Sequence, residues 1–297
     1  MSGATVFSSE TVLFDPAIGR REKALLGFEE RFSAIEGRLR LLVNLDKLEA
    51  WSKRQHKAKL PICDLISEQY PLLIFHGDVG TGKTAMAECA ANRMAKESRD
   101  EAVLFKLSNQ VRGSGKVGEM GALLSAAFER VVASAGKRGR AFLIIDEGDS
   151  IGAARTQEHS HHEDKVAVNT LIQAIDDLRA LNGRVVVFLC TNRLAALDPA
   201  LLRRAAVVEE FARPDNQARL DLLRMDLEGL RLTEPQLRKL VALTGARNGQ
   251  PAWSYSDIRT RLYPAAMARA FDSRALSFED LETVAETLMP SPAMEGY

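Results

Sequence analysis

The sequence predicts an α/β protein, a parallel sheet sandwiched by helices and followed by a small all-helical domain. Apolar runs of strand length stand at 72–75, 102–107, 141–146 and 184–190, with a shorter one at 207–211. Helical patterns at 83–96, 119–135 and 163–180 separate them. Strands alternating with helices imply βαβ units and a parallel sheet covered on both faces, and crossover handedness then leaves few topologies. Beyond Pro214 the pattern becomes purely helical, at about 215–229, 233–244, 255–271 and 277–289.

Taken in order, residues 1–20 show no period and read as an arm or lead-in. From 22 to 56, Leu25, Phe28, Phe32, Ile35, Leu39 and Leu42 recur at steps of three and four, the stripe of an amphipathic helix. That helix either packs on the main domain or offers a docking surface. The resulting partition is an N-terminal arm and helical segment at 1–56, a large α/β domain at 57–212 and a small helical domain at 213–297.

Composition narrows the function. The 297 residues are 46% hydrophobic and 27% charged, which supplies a core and excludes disorder along the whole chain. Lys plus Arg number 40 and so do Asp plus Glu, giving zero formal charge. A sequence-independent nucleic-acid binder needs an excess of cations, so protein is the favoured macromolecular partner and nucleic acid is not expected. Cys63, Cys89 and Cys190 are too few and too scattered for a disulfide framework or a zinc cage. The apolar runs fall far short of the roughly 20 residues of a membrane span. The N-terminus lacks a basic start and apolar run, and a cytoplasmic protein is expected.

Two motifs carry chemistry. Gly77, Asp78, Val79, Gly80, Thr81, Gly82, Lys83 and Thr84 fit G-x-x-x-x-G-K-[ST] at every fixed position. The glycines let backbone N–H groups curl around phosphate oxygens. Lys83 supplies charge for the β- and γ-phosphates, and Thr84 a hydroxyl for Mg²⁺. A strand just before and a helix just after give the motif its context. The apolar run at 141–146 then ends in Asp146 and Glu147. Acids at a strand end sit at the carboxyl edge of the sheet, where open α/β folds bind ligands. Asp146 is expected to hold Mg²⁺ and Glu147 to orient or deprotonate the attacking water. With no N-K-x-D motif in the sequence, ATP is favoured over GTP.

The strand at 184–190 leads into Thr191, Asn192 and Arg193, and then Asp198, Pro199, Arg203 and Arg204. Together with the two motifs, these residues resemble the AAA+ ATPases over about 57–290. The resemblance implies a P-loop AAA+ module with a helical lid, ATP and Mg²⁺ as cofactors, Asn192 as sensor 1 and Arg204, with Arg203 beside it, as the arginine finger supplied to a neighbouring subunit. The adjacent arginines with Ala206 after them, the segment Ser150 to Arg155 and the helix 168–176 look more like the pachytene-checkpoint/thyroid-receptor-interactor subfamily, which remodels HORMA-domain proteins. A compact bacterial antiphage member of that subfamily is implied, encoded beside a HORMA protein and a cyclic-oligonucleotide synthase. The resemblance further implies a homohexamer, a central pore loop at Lys116, Val117, Gly118 and Glu119, and Arg259 as sensor 2. Lys116 stands where the family usually has an aromatic, which implies a weaker or more selective grip. About sixty residues precede the α/β domain, fewer than the family's substrate-recognition domain.

The cluster Glu158, His159, His161, His162 and Glu163 lacks a spaced second pair and reads as a solvated loop. Rival classes stay open at this point: another peptide-threading unfoldase, chaperone or protease-associated ATPase, a DNA-acting loader, and a nucleotide-dependent scaffold that does not turn over.

Overall fold

The computed structural model describes residues 6–98, 100–112, 118–153 and 162–294. The chain divides into two compact units, 1–76 with 84–210, and 77–83 with 211–297. Among the described residues, the sheet has six strands: β1 (Phe7–Leu13), β2 (Leu72–Gly77), β3 (Ala102–Leu107), β4 (Arg140–Ile145), β5 (Val185–Thr191) and β6 (Ala205–Phe211). Their order is β1-β3-β4-β5-β2-β6.

β3, β4, β5 and β2 pair in parallel, with Ile145 opposite Leu189 and His76 opposite Thr191. The two central strands β4 and β5 are buried at every position, as the continuous apolar runs of a sheet covered on both faces require. The chain leaves β2 for β3, across β5 and β4, and later crosses from β5 over β2 to β6. The order therefore reverses direction at β2, and the carboxyl ends of the neighbouring strands open into the crevice such a reversal creates. One layer of the core lies between the sheet and the helices Glu119–Ala135 and His162–Asp177, built from Phe105, Leu124, Val131, Leu143, Leu171 and Val187.

From Phe7 on, the lead-in is a strand and a helix, where the sequence predicts an arm or lead-in without a period. Phe7 and Leu13 are buried at the two ends of β1, which pairs antiparallel with β3, Glu10 opposite Phe105 and Leu13 opposite Ala102. Seven residues with a polar centre show no convincing alternation, and the pairing partner lies nearly a hundred residues downstream. Asp15 then caps the helix Pro16–Lys23 by accepting from the Ala17 N–H at 2.7 Å. Its own backbone N–H donates to the fully buried Asn92 Oδ1 at 2.8 Å, and Asn92 Nδ2 donates back to the Asp15 carbonyl at 3.2 Å. The expected helix over 22–56 is broken instead. Gly27, at φ 71°, starts the helix Phe28–Leu42, and a short 3₁₀ turn separates it from Leu48–His56. Phe28, Phe32, Ile35, Leu39 and Leu42 form its buried stripe.

The second unit is helical beyond Phe211, with helices Asn216–Asp226, Glu234–Leu243, Tyr255–Asp257, Tyr263–Ala270 and Phe278–Thr287. Four of these starts are capped by side chains: Asp215 accepts from the Ala218 N–H, and capping boxes join Thr233 to Gln236, Ser254 to Asp257 and Ser277 to Asp280. Trp253, Leu240, Ile258, Leu262 and Leu281 are fully buried. The expected helix at 255–271 contains a π turn at Ile258–Leu262. Pro264 follows it and has no N–H to donate, so the regular ladder is interrupted there. The three cysteines are buried and unpaired with one another. No helix among the described residues is long and apolar enough to cross a membrane.

Candidate nucleotide site

The phosphate loop Gly77–Lys83 takes its shape from three glycines at positive φ, Gly77 at 135°, Gly80 at 74° and Gly82 at 97°. A Cβ on Gly77 would lie 2.2 Å from the Phe211 carbonyl oxygen, and one on Gly80 would lie 2.6 Å from Ser254 Oγ. Both positions exclude any side chain, so the backbone itself lines the loop. Lys83, 6% exposed, donates from Nζ to the carbonyls of Gly77 and Asp78 at 3.0 and 2.8 Å. Thr81 Oγ1 donates to the Asp78 carbonyl at 2.8 Å. Val79 is partly exposed at the loop's tip. The helix Lys83–Ser98 begins at the loop's end, and the positive end of a helix favours an anion there.

In the other unit, Thr84 Oγ1 donates to Asp146 Oδ2 at 2.9 Å. A hydroxyl and a carboxylate side by side are the hard oxygen donors that Mg²⁺ selects, so the residues present fit an ATP–Mg²⁺ complex. Asp146 Oδ1 accepts from the Glu147 N–H at 3.0 Å. Glu147 itself sits at φ 51°, exposed just past the end of β4, with its carbonyl accepting from Ser150 Oγ at 2.7 Å. A left-handed backbone on a non-glycine residue is strained, and such strain clusters where a side chain must be aimed. Gly148 permits the turn, since a Cβ there would meet Leu189 at 2.6 Å.

Asn192 is half-buried and directly follows the buried β5 end. Thr191 Oγ1 donates to Asp149 Oδ1 at 2.8 Å and accepts from the Arg193 N–H at 3.0 Å, which holds the strand end in place around Asn192. Asp149 escaped the sequence reading, although it stands three residues after Asp146 in the Asp-Glu-Gly-Asp run that ends β4.

The two arginines differ sharply. Arg204 pairs with Asp176 through Nε at 2.5 Å and Nη2 at 2.9 Å, donates to the Ala200 carbonyl at 3.1 Å, and lies over the Tyr70 ring at 5.2 Å. The hydrogen bonds it donates to Asp176 raise its pKa further above the ordinary arginine value. Arg203 is exposed. Arg259, in the π turn, is bidentate to Asp226 at 2.7 and 2.8 Å, and that pairing likewise raises its pKa. Gly118, at φ 83°, precedes the helix that Glu119 opens. Lys116 and Val117 lie outside the described residues, as do Arg155 and the histidines at 159 and 161.

Residues 73–213 match the family described as ATPase family associated with various cellular activities (AAA). The chain is 61% identical over 295 residues to CD-NTase-associated protein 6 of Escherichia coli strain KTE188, covering 99% of each. The chain belongs to the AAA ATPases. As such it is an ATP-hydrolysing enzyme, and the phosphate loop falls inside the matched region. Among solved structures, this AAA ATPase is similar to a chain in the structure of the E. coli MS115-1 HORMA:CdnC:Trip13 complex, at 36% identity and a TM-score of 0.88, over 97% of both chains. It is also similar to the structure of Rhizobiales Trip13, at 30% identity and a TM-score of 0.70, over 96% of this chain and 99% of that one. The AAA fold, expected from the motif order, and its Trip13-like form, expected from the arginine pattern and the segments 150–155 and 168–176, are thereby established.

Proposed function

We propose that this AAA ATPase works as a cytoplasmic homohexamer that uses ATP hydrolysis to open or disassemble HORMA-domain protein complexes, as the regulator of a bacterial antiphage cyclic-oligonucleotide signalling system. The likeness to a chain of the HORMA:CdnC:Trip13 complex carries this reading, because it spans 97% of both chains rather than an isolated ATPase core. The substrate is a HORMA protein, with or without a closure peptide or an associated nucleotidyltransferase.

The roles follow from the chemistry of each group. The backbone of residues 77–84 and the Lys83 ammonium hold the phosphates, and Thr84 with Asp146 holds Mg²⁺. Bound Mg²⁺ supplies positive charge that offsets the charge of the phosphate oxygens. Glu147 takes the proton of the attacking water, and Asn192 orients that water. Arg203 and Arg204 belong to the edge that a neighbouring subunit offers to the nucleotide, and exposure favours Arg203 as the group that reaches across. Arg259 would exchange the Asp226 carboxylate for phosphate. Head-to-tail contacts of this kind close into rings, and the segment Lys116 to Glu119 would line the pore and grip the substrate.

The test is a pull-down with the Glu147→Gln protein and ATP, followed by mass spectrometry of what stays bound. A HORMA-domain protein is the expected catch. Recovery of DNA without protein would transfer the reading to a DNA-acting loader.

A further inference from the structure

The phosphate loop carries a carboxylate of its own. Asp78, 3% exposed, occupies the motif's second position, inside the loop that must accept anionic oxygens. A buried carboxylate there repels a polyphosphate, and the repulsion is strong where water is excluded. Its countercharge is Arg213, whose Nε donates to Asp78 Oδ2. The rest of that guanidinium is engaged as well: Nη1 donates to the Ala252 carbonyl at 2.6 Å, and Nη2 to the carbonyls of Ser291 and Pro292 at 2.9 and 3.1 Å. The second Asp78 oxygen accepts from the Val79 N–H at 2.7 Å and the Met294 N–H at 3.3 Å.

The same C-terminal segment is held from its other side. Ser291 donates its N–H and its hydroxyl to Asp257 Oδ1, at 3.1 and 2.6 Å. Asp257, 1% exposed, also accepts from the N–H and hydroxyl of Ser254. The Ser256 N–H, between those two residues, donates to the Gly80 carbonyl at 3.1 Å. One polar network therefore ties two positions of the phosphate loop to the start of the helix Tyr255–Asp257 and to the segment Ser291–Met294. Every member lies in one compact unit.

We propose that Arg213 is a positioning residue for the nucleotide: it neutralises Asp78 and straps the segment Ser291–Met294 onto the phosphate loop, so that nucleotide affinity depends on that segment. This rests on the loop being the nucleotide site. The charge argument separates such a role from a merely structural one. Removing Arg213 leaves the Asp78 carboxylate uncompensated in the loop, whereas removing both charges leaves only Asp257, which lies 3.7 Å from Arg213 Nη1 and keeps Arg261 at 3.2 Å as a second cation.

The experiment titrates the full chain with a fluorescent ATP analogue and Mg²⁺. Lys83→Ala tests the underlying site and is expected to abolish binding. Arg213→Gln is expected to weaken binding by roughly ten-fold or more, and Asp78→Asn with Arg213→Gln to recover most of that loss. Ending the chain after Pro290 is expected to weaken binding by at least about three-fold, since Asp78 and Arg213 then lose partners. Wild-type affinity in Arg213→Gln, a double variant as weak as the single one, or a truncation without effect would each overturn the proposal. Should Arg213→Gln not fold, Asp78→Asn decides. It keeps the cation and is expected to bind at least as tightly as wild type, and a ten-fold loss would count against the idea. If Lys83→Ala binds normally, the nucleotide reading itself is wrong; if only Arg213→Gln does, this inference fails by itself.

Discussion

Glu147 and the Arg203–Arg204 pair show how much a single position can carry. Glu147, exposed on a strained backbone just past the end of β4, directly follows the Asp146 that pairs with Thr84. Replacing it with Gln keeps the size and removes the base. Hydrolysis is therefore expected to fall by about 10²–10⁴-fold with nucleotide affinity retained, as phosphate release and nucleotide titration will read. The two adjacent arginines should separate in the same assays. Arg203 is exposed, so Arg203→Ala is expected to suppress hydrolysis by about 10³-fold or more and leave the melting temperature unchanged. Arg204 is held by Asp176, Tyr70 and the Ala200 carbonyl. Arg204→Ala is expected to lower stability by about 1 kcal/mol as well, visible as a drop in Tm. A stable Arg204→Ala protein would show that the Asp176 pair contributes nothing to the fold.

Among the elements, the N-terminal segment depends on one buried amide. Asn92 makes two hydrogen bonds to Asp15, joining the helix Lys83–Ser98 to the end of β1 and the start of the helix Pro16–Lys23. Asn92→Ala leaves the Asp15 N–H without its partner, while the Asp15 carbonyl keeps only the Gly19 N–H at 3.1 Å. A loss of about 2 kcal/mol is expected in denaturant unfolding, together with faster proteolysis before residue 24. Asn92→Asp should not rescue it, because a carboxylate cannot donate to the Asp15 carbonyl. The helix Phe28–Leu42 shows the opposite case. Its buried stripe is local in sequence, and periodicity found it. β1 was missed because its partner β3 is remote and its own pattern is only seven residues long.

Seen across the protein, two buried carboxylates of the helical unit, Asp257 and Asp280, carry an acid sensitivity. Burial would raise the Asp257 carboxyl, but hydrogen bonds from Ser291 and Ser254 outweigh it and hold the group below the ordinary aspartate value. Arg274, with the N-cap Ser277, holds Asp280 lower still. A carboxylate whose folded pKa is depressed stabilises fully above its unfolded value and loses that contribution as pH falls through the folded one. Stability of this unit is therefore expected to be flat down to about pH 4 and to decline below it. Thermal unfolding between pH 7 and pH 3 checks this. Asp257→Asn and Asp280→Asn should each lower Tm at pH 7 and flatten the decline.

Contiguous sequence was enough for the phosphate loop, the acids closing β4, the polar residue after β5 and the alternation that makes the sheet parallel. Each is a short pattern whose chemistry depends on neighbours a few positions away. The folded structure decided the rest. Asp78 meets Arg213 across 135 positions. Arg204 turns to Asp176, Arg259 to Asp226, and β1 to β3. No period or spacing encodes such partners, because an arginine has many carboxylates of equal chemistry to choose from. Distance and burial select among them, and both exist only once the chain has folded.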